Sequence, residues 1–318
     1  MRATGLLLTS FDEPPALGEV ELPELGPGRL LLELRASSVN AFDWKVADGS
    51  LRHAFEYRFP VTVGRDYAGV VAAVGAGVTR FRPGDAVFGY LGGPELKRGA
   101  FATHLVVGES ECFVAKPDGV SFEQAAALPL SGIVALRVTA AVAPAKDEIV
   151  VIVGAPGGVG TLAVQLAAAR GALVVASGPA GDAEFLKELG AIDVIAPGEG
   201  FADDIRKAYP DGVDALIDLV DPKPAFVELL DLVRPGGRVV SVHRCADPAD
   251  LAPRGLTGSN VQSNPDPALL AELGRLAAAG AVRVAVERVV PLERAADALA
   301  AAKSSHTRGK TVIGIAQA

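Results

Sequence analysis

The feature that most constrains the fold of this chain is a glycine-rich stretch between an apolar run and a helix-like segment. The apolar run is Ile149–Val153, and Thr161–Arg170 follows with helical spacing. The stretch itself reads Gly154-Ala155-Pro156-Gly157-Gly158-Val159-Gly160. Such a turn brings the backbone close to a pyrophosphate and aims the amide N–H groups and positive dipole end of the helix at that anion. The stretch therefore predicts a bound dinucleotide.

The spacing of these glycines departs from the full dinucleotide fingerprint. Ala155 stands where the first glycine is expected, so the motif is A-x-G-x-x-G. The context strengthens the interpretation, because the short apolar run Leu173–Ala176 follows the helix and Gly171 stands where a helix C-cap falls. A structural loop that binds nothing is the alternative. We expect the pyrophosphate to lie against Ala155, Gly157, Gly158, Val159 and Gly160.

From residue 149 onward, strand and helix patterns alternate. The predicted strands are Ile149–Val153, Leu173–Ser177, Asp193–Ala196, Val213–Leu219 and Arg238–Val242. The predicted helices are Val159–Arg170, Asp182–Leu189, Phe201–Tyr209 and Pro224–Val233. Alternation of this kind implies an α/β fold with a doubly wound parallel sheet, and the continuous apolar strands fit a sheet buried on both faces.

The chain before about residue 120 reads as a mainly β domain. Leu30–Ala36 and Tyr67–Val74 are strand-like and are separated by Pro and Gly turns. The last part of the chain predicts pieces that return to this domain: helix Pro267–Ala279, strand Val282–Val286, helix Leu292–Ala302 and strand Lys310–Ile315. The length of 318 residues favours two domains. We place them at residues 1–121 with 262–318, and at residues 122–261.

Composition narrows the set of partners. The net charge is −8, and Lys and Arg are scattered, so we expect no nucleic-acid partner. Cysteines 112 and 245 and histidines 53, 104, 243 and 306 are dispersed, so no zinc motif can be written. The first residues lack the pattern of a signal peptide, which favours a cytoplasmic location. The uncharged segment Ile149–Ala169 is divided by its glycines and Pro156, so we expect no membrane partner.

Motifs along nearly the whole chain resemble one known family. They are Val39–Lys45 with Gly49, Pro60–Val71, Arg82–Gly89, Gly99–Thr103, Ala126–Gly132, the glycine stretch and Arg308–Lys310. The chain resembles the zinc-independent branch of the medium-chain dehydrogenase/reductase superfamily, in its quinone oxidoreductase and enone or enoyl reductase group. The resemblance implies a Rossmann domain, a GroES-like catalytic domain, a homodimer and a small-molecule substrate. It also implies hydride transfer from a reduced nicotinamide onto a quinone or onto the C=C bond of an α,β-unsaturated carbonyl.

The resemblance also bears on zinc. The zinc alcohol dehydrogenases of this superfamily carry a cysteine where Asn40 stands and a histidine where Arg65 stands. Their second zinc is held by a four-cysteine lobe that this chain lacks. The resemblance therefore implies chemistry without zinc.

Three residues are carried over as candidates for the catalytic site. Asn40 aligns with an asparagine that orients the nicotinamide, with an Asx turn that closes the preceding strand as the alternative. Lys45 can hold a cofactor phosphate or polarise a carbonyl, with a solvated surface lysine as the alternative. Tyr57 is a candidate proton donor to the α-carbon, with a packed loop tyrosine or proton supply from solvent as alternatives. Asp43 and Asp66 are possible acids, but a turn cap and a partner of a cation explain them as well.

Further candidates for the cofactor site come from the same alignment. Ser131 stands where relatives place a threonine near the pyrophosphate and nicotinamide, and helix N-capping is its alternative. His243 and Arg244 follow the predicted strand Arg238–Val242 at the carboxyl edge of the sheet, where doubly wound folds hold ligands. An exposed loop pair is the alternative for these two residues.

The end of the second predicted strand bears on cofactor choice. An NAD site places a carboxylate there, and this chain has Ser177 and Gly178 instead. We therefore expect NADP(H) rather than NAD(H). Gly181 and Pro197 replace a basic residue and a tyrosine that relatives carry nearby, and Asp182 adds a negative charge, so strict selectivity does not follow.

Two other functions share these motifs. One is an enoyl-thioester reductase acting on polyketide or fatty acyl substrates. The other is a non-catalytic NADPH-binding protein that keeps the fold. The intact glycine turn and Asn40 argue against the second.

Overall fold

The computed structural model describes residues 1–304 and 307–316, so His306 lies outside the described residues. The chain forms two compact units: Met1–Ile133 with the described residues from Asn264 onward, and Val134–Ser263. The predicted boundaries at residues 121 and 261 differ from this division. Residues 122–133 lie with the first unit, where the backbone N–H of Leu130 donates to Asp66 Oδ1 at 3.0 Å.

The N-terminal unit is built mainly of short strands, as its turn-rich sequence predicts. The strands are β1 (Arg2–Leu8), β2 (Ala16–Glu21), β3 (Arg29–Ser38), β4 (Glu56–Tyr57), β5 (Val61–Thr62), β6 (Asp66–Val74), β7 (Ala86–Tyr90), β8 (Glu95–Leu96), β9 (His104–Gly108) and β10 (Phe113–Ala115). The helices are α1 (Ala41–Ala47), α2 (Phe122–Ala127) and α3 (Pro129–Val142), which begins in this unit. The two predicted strands are confirmed as β3 and β6.

The second unit is a six-stranded parallel sheet with helices between its strands. The strands are β11 (Ile149–Val153), β12 (Leu173–Ser177), β13 (Ala191–Ile195), β14 (Val213–Asp218), β15 (Val233–Ser241) and β16 (Thr257–Asn260). The helices are α4 (Gly158–Ala168), α5 (Ala183–Glu188), α6 (Phe201–Ala208), α7 (Lys223–Leu229) and α8 (Pro248–Leu251). The order β13-β12-β11-β14-β15-β16 is that of the doubly wound dinucleotide fold. The predicted fold class is confirmed.

The strand order fixes where a ligand can bind in this unit. The order reverses between β11 and β14, and doubly wound sheets hold ligands at the carboxyl ends of the strands at such a point. The glycine turn follows β11 directly, so it lies at this switch point.

Two predicted element boundaries in this unit need correction. β15 begins at Val233 rather than Arg238, because the predicted helix Pro224–Val233 ends early in a 3₁₀ turn over Leu230–Leu232.

The chain then returns to the first unit with α9 (Pro267–Ala278), β17 (Val286–Pro291), α10 (Ala295–Ser304) and β18 (Lys310–Gly314). The main sheet of this unit has the order β10-β7-β6-β3-β18-β17, with β9 paired to β3. The predicted strand Val282–Val286 is wrong. The ladder of β17 starts at Val286 because its parallel partner β18 starts opposite it, at Lys310.

Each unit has its own hydrophobic core. Tyr67, Phe101 and Phe113 are fully buried in the first, and Val151, Leu216 and Phe226 in the second. Phe101 packs on Gly64, where φ is +101° and a Cβ would lie 2.5 Å from the Phe101 ring. Among the described residues, no helix is long and apolar enough to cross a membrane.

Candidate functional site

The glycine turn of the second unit explains the departure from the fingerprint. The tight turn is made by Gly154, one residue early, with φ at +80°. Its carbonyl accepts from the N–H of Gly157 at 3.2 Å. Ala155 has a negative φ and is buried, so its Cβ is tolerated. Gly154 belongs to the predicted glycine stretch, but its role in forming the tight turn was not predicted.

Helix α4 presents its first amide groups at the turn. Gly157 is the N-cap residue, and Gly158, Val159 and Gly160 form the first helical turn, whose N–H groups have no acceptor within a helix. A Cβ on Gly157 would meet only the Gly154 oxygen, at 3.5 Å. The backbone is therefore open to an anion at this point. These amides and the helix dipole fit the pyrophosphate of a dinucleotide.

The end of β12 carries the two residues predicted to meet the ribose. Ser177 is buried, and the N–H of Gly178 donates to the Ile195 carbonyl at 3.0 Å. A Cβ on Gly178 would lie 2.7 Å from Leu186 Cδ1, so the glycine is required for packing. Asp182 is 2% exposed and follows in a 3₁₀ turn.

The loop after β15 holds the predicted basic pair. His243 and Arg244 are exposed. The Arg244 guanidinium donates to Gln262 Oε1 at 3.0 Å, and the backbone of Arg244 has a positive φ of +60°. Ser241 organises the loop, because its Oγ accepts from the N–H of His243 at 3.0 Å and of Cys245 at 3.3 Å. The pair lies at the carboxyl edge of the sheet, on the surface of the unit.

Asp218 and Asp221, at the end of β14 and just after it, form an acidic pair that the sequence analysis did not identify. Asp218 Oδ1 accepts from the N–H groups of Val220 and Asp221, each at 2.9 Å. Burial, together with the charge and hydrogen bond of Asp218, raises the pKa of Asp221 to about 6. Val220 lies beside the turn, since a Cβ on Gly154 would come 2.7 Å from Val220 Cγ1. The available signal was a carboxylate that closes a strand beside the switch point.

In the first unit, Asn40 is the centre of a buried hydrogen-bond network. Its backbone N–H donates to Asp43 Oδ2 at 2.7 Å, so Asp43 caps the start of α1. Its Nδ2 donates to Asp66 Oδ2 at 2.9 Å and to the Ser38 carbonyl at 3.3 Å. Its Oδ1 accepts from Lys310 Nζ at 2.5 Å. Both side-chain donors are thus used within the protein, and Oδ1 already accepts from Lys310.

Asp66 and Lys310 form the charged part of this network. Asp66 accepts from the N–H of Leu130 and from Ser38 Oγ, each at 3.0 Å, and its Oδ2 lies 3.9 Å from Lys310 Nζ. Lys310 also donates to the Val39 carbonyl at 2.8 Å. Burial raises the pKa of Asp66 and lowers that of Lys310, and the opposite charge of each opposes the shift of the other. The expected cation partner of Asp66 is therefore Lys310, which sequence reasoning did not assign.

Asp43 and Arg65 are a second buried pair of charged residues. Arg65 Nη1 donates to the Leu91 carbonyl at 2.5 Å, and its guanidinium lies 4.1 Å from the centre of the Phe42 ring. Arg65 Nη2 and Asp43 Oδ1 have no hydrogen-bond partner in the described part of the chain. Burial lowers the pKa of Arg65, and burial raises the pKa of Asp43 to about 7. Both residues line a cavity of about 840 Å³ in this unit.

The structure places the remaining predicted residues apart from this hydrogen-bond network. Lys45 Nζ lies 5.5 Å from the Trp44 ring centre. Tyr57 donates its hydroxyl to the Val46 carbonyl at 3.2 Å and packs edge-on against Phe11. Burial raises the pKa of Tyr57 to about 12, which opposes proton release.

Ser131 is buried inside the first turn of α3 rather than at its N-cap. The capping alternative is therefore wrong for this serine. Asp66 supplies the acceptor for that helix end instead, through the N–H of Leu130.

The chain is similar in sequence and structure to several known proteins. A model described as "Alcohol dehydrogenase GroES-like domain" matches residues 26–118, and one described as "Zinc-binding dehydrogenase" matches residues 189–313. The chain is 31% identical over 314 residues to the chloroplast envelope quinone oxidoreductase homolog of Arabidopsis thaliana, which covers 93% of this chain and 92% of that protein. It is 33% identical over 257 residues to the pikromycin polyketide synthase component PikAII of Streptomyces venezuelae, over 74% of this chain and 6% of that protein. The solved quinone oxidoreductase of Coxiella burnetii superimposes with a TM-score of 0.89 at 26% identity, over 99% of this chain and 100% of that one.

Proposed function

Since this chain belongs to the quinone oxidoreductase family of the medium-chain dehydrogenase/reductase superfamily, we propose that it is an NADPH-dependent, zinc-independent reductase of quinones or α,β-unsaturated carbonyls. Oxidoreduction with a nicotinamide cofactor is the chemistry of the family. The observation that carries the proposal is the glycine turn at the switch point of the parallel sheet. Its open amides at the start of α4 fit a dinucleotide.

The residues of the second unit would hold the cofactor. The first amides of α4, from Gly158 to Gly160, would bind the pyrophosphate, and the Ser177 hydroxyl would bind a 2′-phosphate. His243 and Arg244 would add positive charge at the same edge of the sheet. When bound, a reduced nicotinamide supplies hydride. In this proposal the protein contributes positioning and a polar environment for the acceptor oxygen, which are large terms in such reactions.

In the first unit we assign Asn40 the role of orienting the nicotinamide. Lys310 and Asp66 hold the amide in place. Ser131, in the first turn of α3, stays a candidate cofactor contact. Lys45 stays a candidate for a phosphate or carbonyl contact, because no hydrogen bond of its ammonium is seen among the described residues. Tyr57 stays a candidate proton donor only if its hydrogen bond to the Val46 carbonyl opens.

The side chains at the two expected ligand positions are the reason that we propose chemistry without zinc. Asn40 uses its amide within the protein, and Arg65 places a guanidinium there. The buried ammonium of Lys310 adds a second positive charge that opposes a Zn²⁺ ion. Within residues 1–304 and 307–316, no group of three or more His, Cys, Asp or Glu side chains is placed to hold a metal. These residues do not fit a zinc ion.

A second candidate function is reduction of enoyl thioesters. The similarity to a polyketide synthase component supports it. The net charge of −8 gives little support to the binding of an anionic carrier, which would favour a basic rim.

We expect the purified protein to oxidise NADPH faster with an ortho-quinone or an alkyl vinyl ketone than with a crotonyl thioester. The measurement is the loss of NADPH absorbance with each acceptor, repeated with NADH, and reactions without protein correct for direct reduction of the quinone. Selective turnover of the thioester would favour the second candidate. Tight NADPH binding without turnover of any acceptor would move the protein to the non-catalytic alternative.

Replacing Ser177 by aspartate is expected to weaken NADPH binding about tenfold or more and to leave NADH binding unchanged or tighter. The aspartate removes a hydrogen bond to the 2′-phosphate and adds a repelling charge, whereas it can accept from a ribose 2′-hydroxyl. Binding is measured by fluorescence titration of each cofactor. Ser177→Ala is the matched control, because it removes the hydroxyl and adds no charge. Equal losses for both cofactors in the aspartate variant would show that Ser177 does not face the 2′ position.

A further inference from the structure

In the part of the chain that the structure describes, one buried atom of an acid and one of a base in the first unit lack a hydrogen-bond partner. They are Asp43 Oδ1 and Arg65 Nη2. Buried polar atoms are hydrogen-bonded in nearly all proteins, so each such orphan calls for an explanation. Within the described residues, the other buried side-chain atoms without a hydrogen-bond partner belong to residues that do not line the cavity of Asp43 and Arg65. Orphaned groups beside a cavity indicate that a ligand completes them.

The guanidinium of Arg65 is an expensive group to bury in this way. Arg65 is 6% exposed, and within the described residues its guanidinium makes one hydrogen bond, to the Leu91 carbonyl. Among described residues, no carboxylate lies within 4.0 Å of it, and its other neighbours are the rings of Phe42, Phe55 and Tyr90. Burying a cation without an ion partner is energetically unfavourable, because the charge loses its hydration. An oxygen ligand with partial negative charge would offset that cost.

Asp43 supplies the complementary half. One oxygen, Oδ2, is fixed by the N–H of Asn40 at 2.7 Å, which leaves Oδ1 free to hold or give a proton. The side chain is 1% exposed, and it follows Phe42, whose ring covers the Arg65 guanidinium. Phe42, Asp43 and Arg65 all line the cavity of about 840 Å³. An acceptor that enters this cavity would lie beside a hydrogen-bond donor and an acid.

We propose that Asp43 and Arg65 act together on the carbonyl oxygen of a conjugated acceptor: Arg65 Nη2 donates a hydrogen bond to it and Asp43 delivers the proton. This inference rests on the proposed reductase function and names two residues that would perform it. Both atoms are buried, so the acceptor oxygen would reach them only if a covering side chain moved. Phe42 is the side chain in contact with the guanidinium.

The proposed reaction reduces the conjugated C=C bond of the acceptor. A reduced nicotinamide, when bound, would supply the hydride for the new C–H bond at the β-carbon of the acceptor and would itself be oxidised. The π electrons of the C=C bond shift toward the carbonyl, whose oxygen gains charge beside Arg65. An O–H bond forms at that oxygen as the O–H bond of Asp43 breaks, so the acceptor leaves reduced as an enol. Asp43 is left as a carboxylate and regains its proton from water.

The charged groups around Asp43 set the pH range in which it can serve as the acid. Burial, and to a smaller extent the charge of Asp66 on β6, raises its pKa to about 7. The N–H of Asn40, Lys310 on β18 and Arg65 before β6 oppose that shift. Asp43 is protonated below its pKa, so proton delivery is available below about pH 7 and is lost as the pH rises through that value.

Three variants test the inference. Asp43→Asn keeps an acceptor for the Asn40 N–H and removes the acid, so kcat with a vinyl ketone should fall about 100-fold and its decline above pH 7 should disappear. Arg65→Gln removes the guanidinium and should weaken acceptor binding about tenfold or more. Asp48→Asn is the matched control, because Asp48 ends the same helix and pairs with exposed Lys303. It should keep the wild-type rate and pH profile.

Acceptor binding can be followed without turnover. Trp44 is the single tryptophan of the chain and directly follows Asp43, so a bound quinone should quench its fluorescence. Titration of the cofactor-free protein with phenanthrenequinone should quench this fluorescence. Arg65→Gln should raise the quinone concentration at half-maximal quenching about tenfold, and Asp48→Asn should leave it unchanged. Unchanged quenching in Arg65→Gln would overturn the assignment of Arg65.

The role of Asp43 and the reductase function can be contradicted separately. Wild-type turnover together with an undiminished rate and pH profile in Asp43→Asn would overturn the role of Asp43 alone. Absence of wild-type turnover with every conjugated carbonyl would overturn the reductase function and the inference together. If Asp43→Asn does not fold, the wild-type profile carries the test, and a kcat that stays level from pH 6 to pH 9 would contradict the role of Asp43.

Discussion

Replacing Gly160 by alanine is expected to abolish dinucleotide binding and to lower the free energy of unfolding by about 1–3 kcal/mol. A Cβ at this position would lie 2.3 Å from the Gly154 carbonyl oxygen and 2.6 Å from Ala155 Cα. Both contacts are with backbone, so no side chain can rotate away. The first turn of α4 must move off the turn after β11, and the amides that would face a pyrophosphate lose their positions. Urea denaturation and NADPH fluorescence titration measure the two effects.

Gly157→Ala is the matched control for the packing effect. A Cβ on Gly157 meets one atom, the Gly154 oxygen, at the ordinary contact distance of 3.5 Å, and its φ of −68° suits alanine. Its stability should stay within about 0.5 kcal/mol of wild type. Its NADPH binding should still weaken, because the added methyl group lies where the pyrophosphate approaches the N-cap. Equal stability of the Gly160 and Gly157 variants would contradict the role of Gly160 in helix packing.

Much of the second unit could be predicted from the sequence, because its strands are uninterrupted apolar runs bounded by glycines. Ile149–Val153 and Leu173–Ser177 were predicted to the residue. The misses share a cause. Strand β16 is Thr257–Asn260, four exposed residues with no apolar pattern, and it forms because β15 offers a free edge. The start of β17 is likewise set by its partner rather than by its own sequence.

The glycine turn of the candidate site was predictable, whereas the network around Asn40 was not. The turn is local, so its spacing shows in the sequence. Asn40 meets Asp66 and Lys310 across separations of 26 and 270 residues. Each of the three side chains has a plain local explanation when read alone, such as a cap or a surface lysine. Their shared function emerges only when β3, β6 and β18 lie side by side.

Arg65 shows the limit of carrying roles over from relatives. The resemblance marked this position only for the metal ligand that it lacks. The structure adds what the residue does instead: it buries a guanidinium beside Phe42 with one donor unused. Tyr57 shows the reverse case, because the hydroxyl that the resemblance offered as an acid donates to the Val46 carbonyl.

Replacing Lys310 by methionine is expected to lower the free energy of unfolding by about 3–5 kcal/mol, because it leaves the buried carboxylate of Asp66 without its cation. It also removes the hydrogen bonds to the Val39 carbonyl and Asn40 Oδ1. Lys303→Met is the matched control, since that lysine is exposed and pairs with Asp48 at the surface, where such pairs contribute about 0–1 kcal/mol. Urea denaturation of each variant gives the difference.

The cause of that loss can be separated from a loss of packing by two further measurements. Adding Asp66→Asn to Lys310→Met removes the uncompensated charge, so the double variant should be more stable than the sum of the single changes implies. Burial already raises the pKa of Asp66 in the wild-type protein, and without Lys310 that pKa rises further. A carboxyl group with a raised pKa in the folded state favours folding at low pH, so the deficit of Lys310→Met should shrink from pH 8 to pH 5. A deficit that is additive with Asp66→Asn and constant with pH would assign Lys310 a role in packing alone.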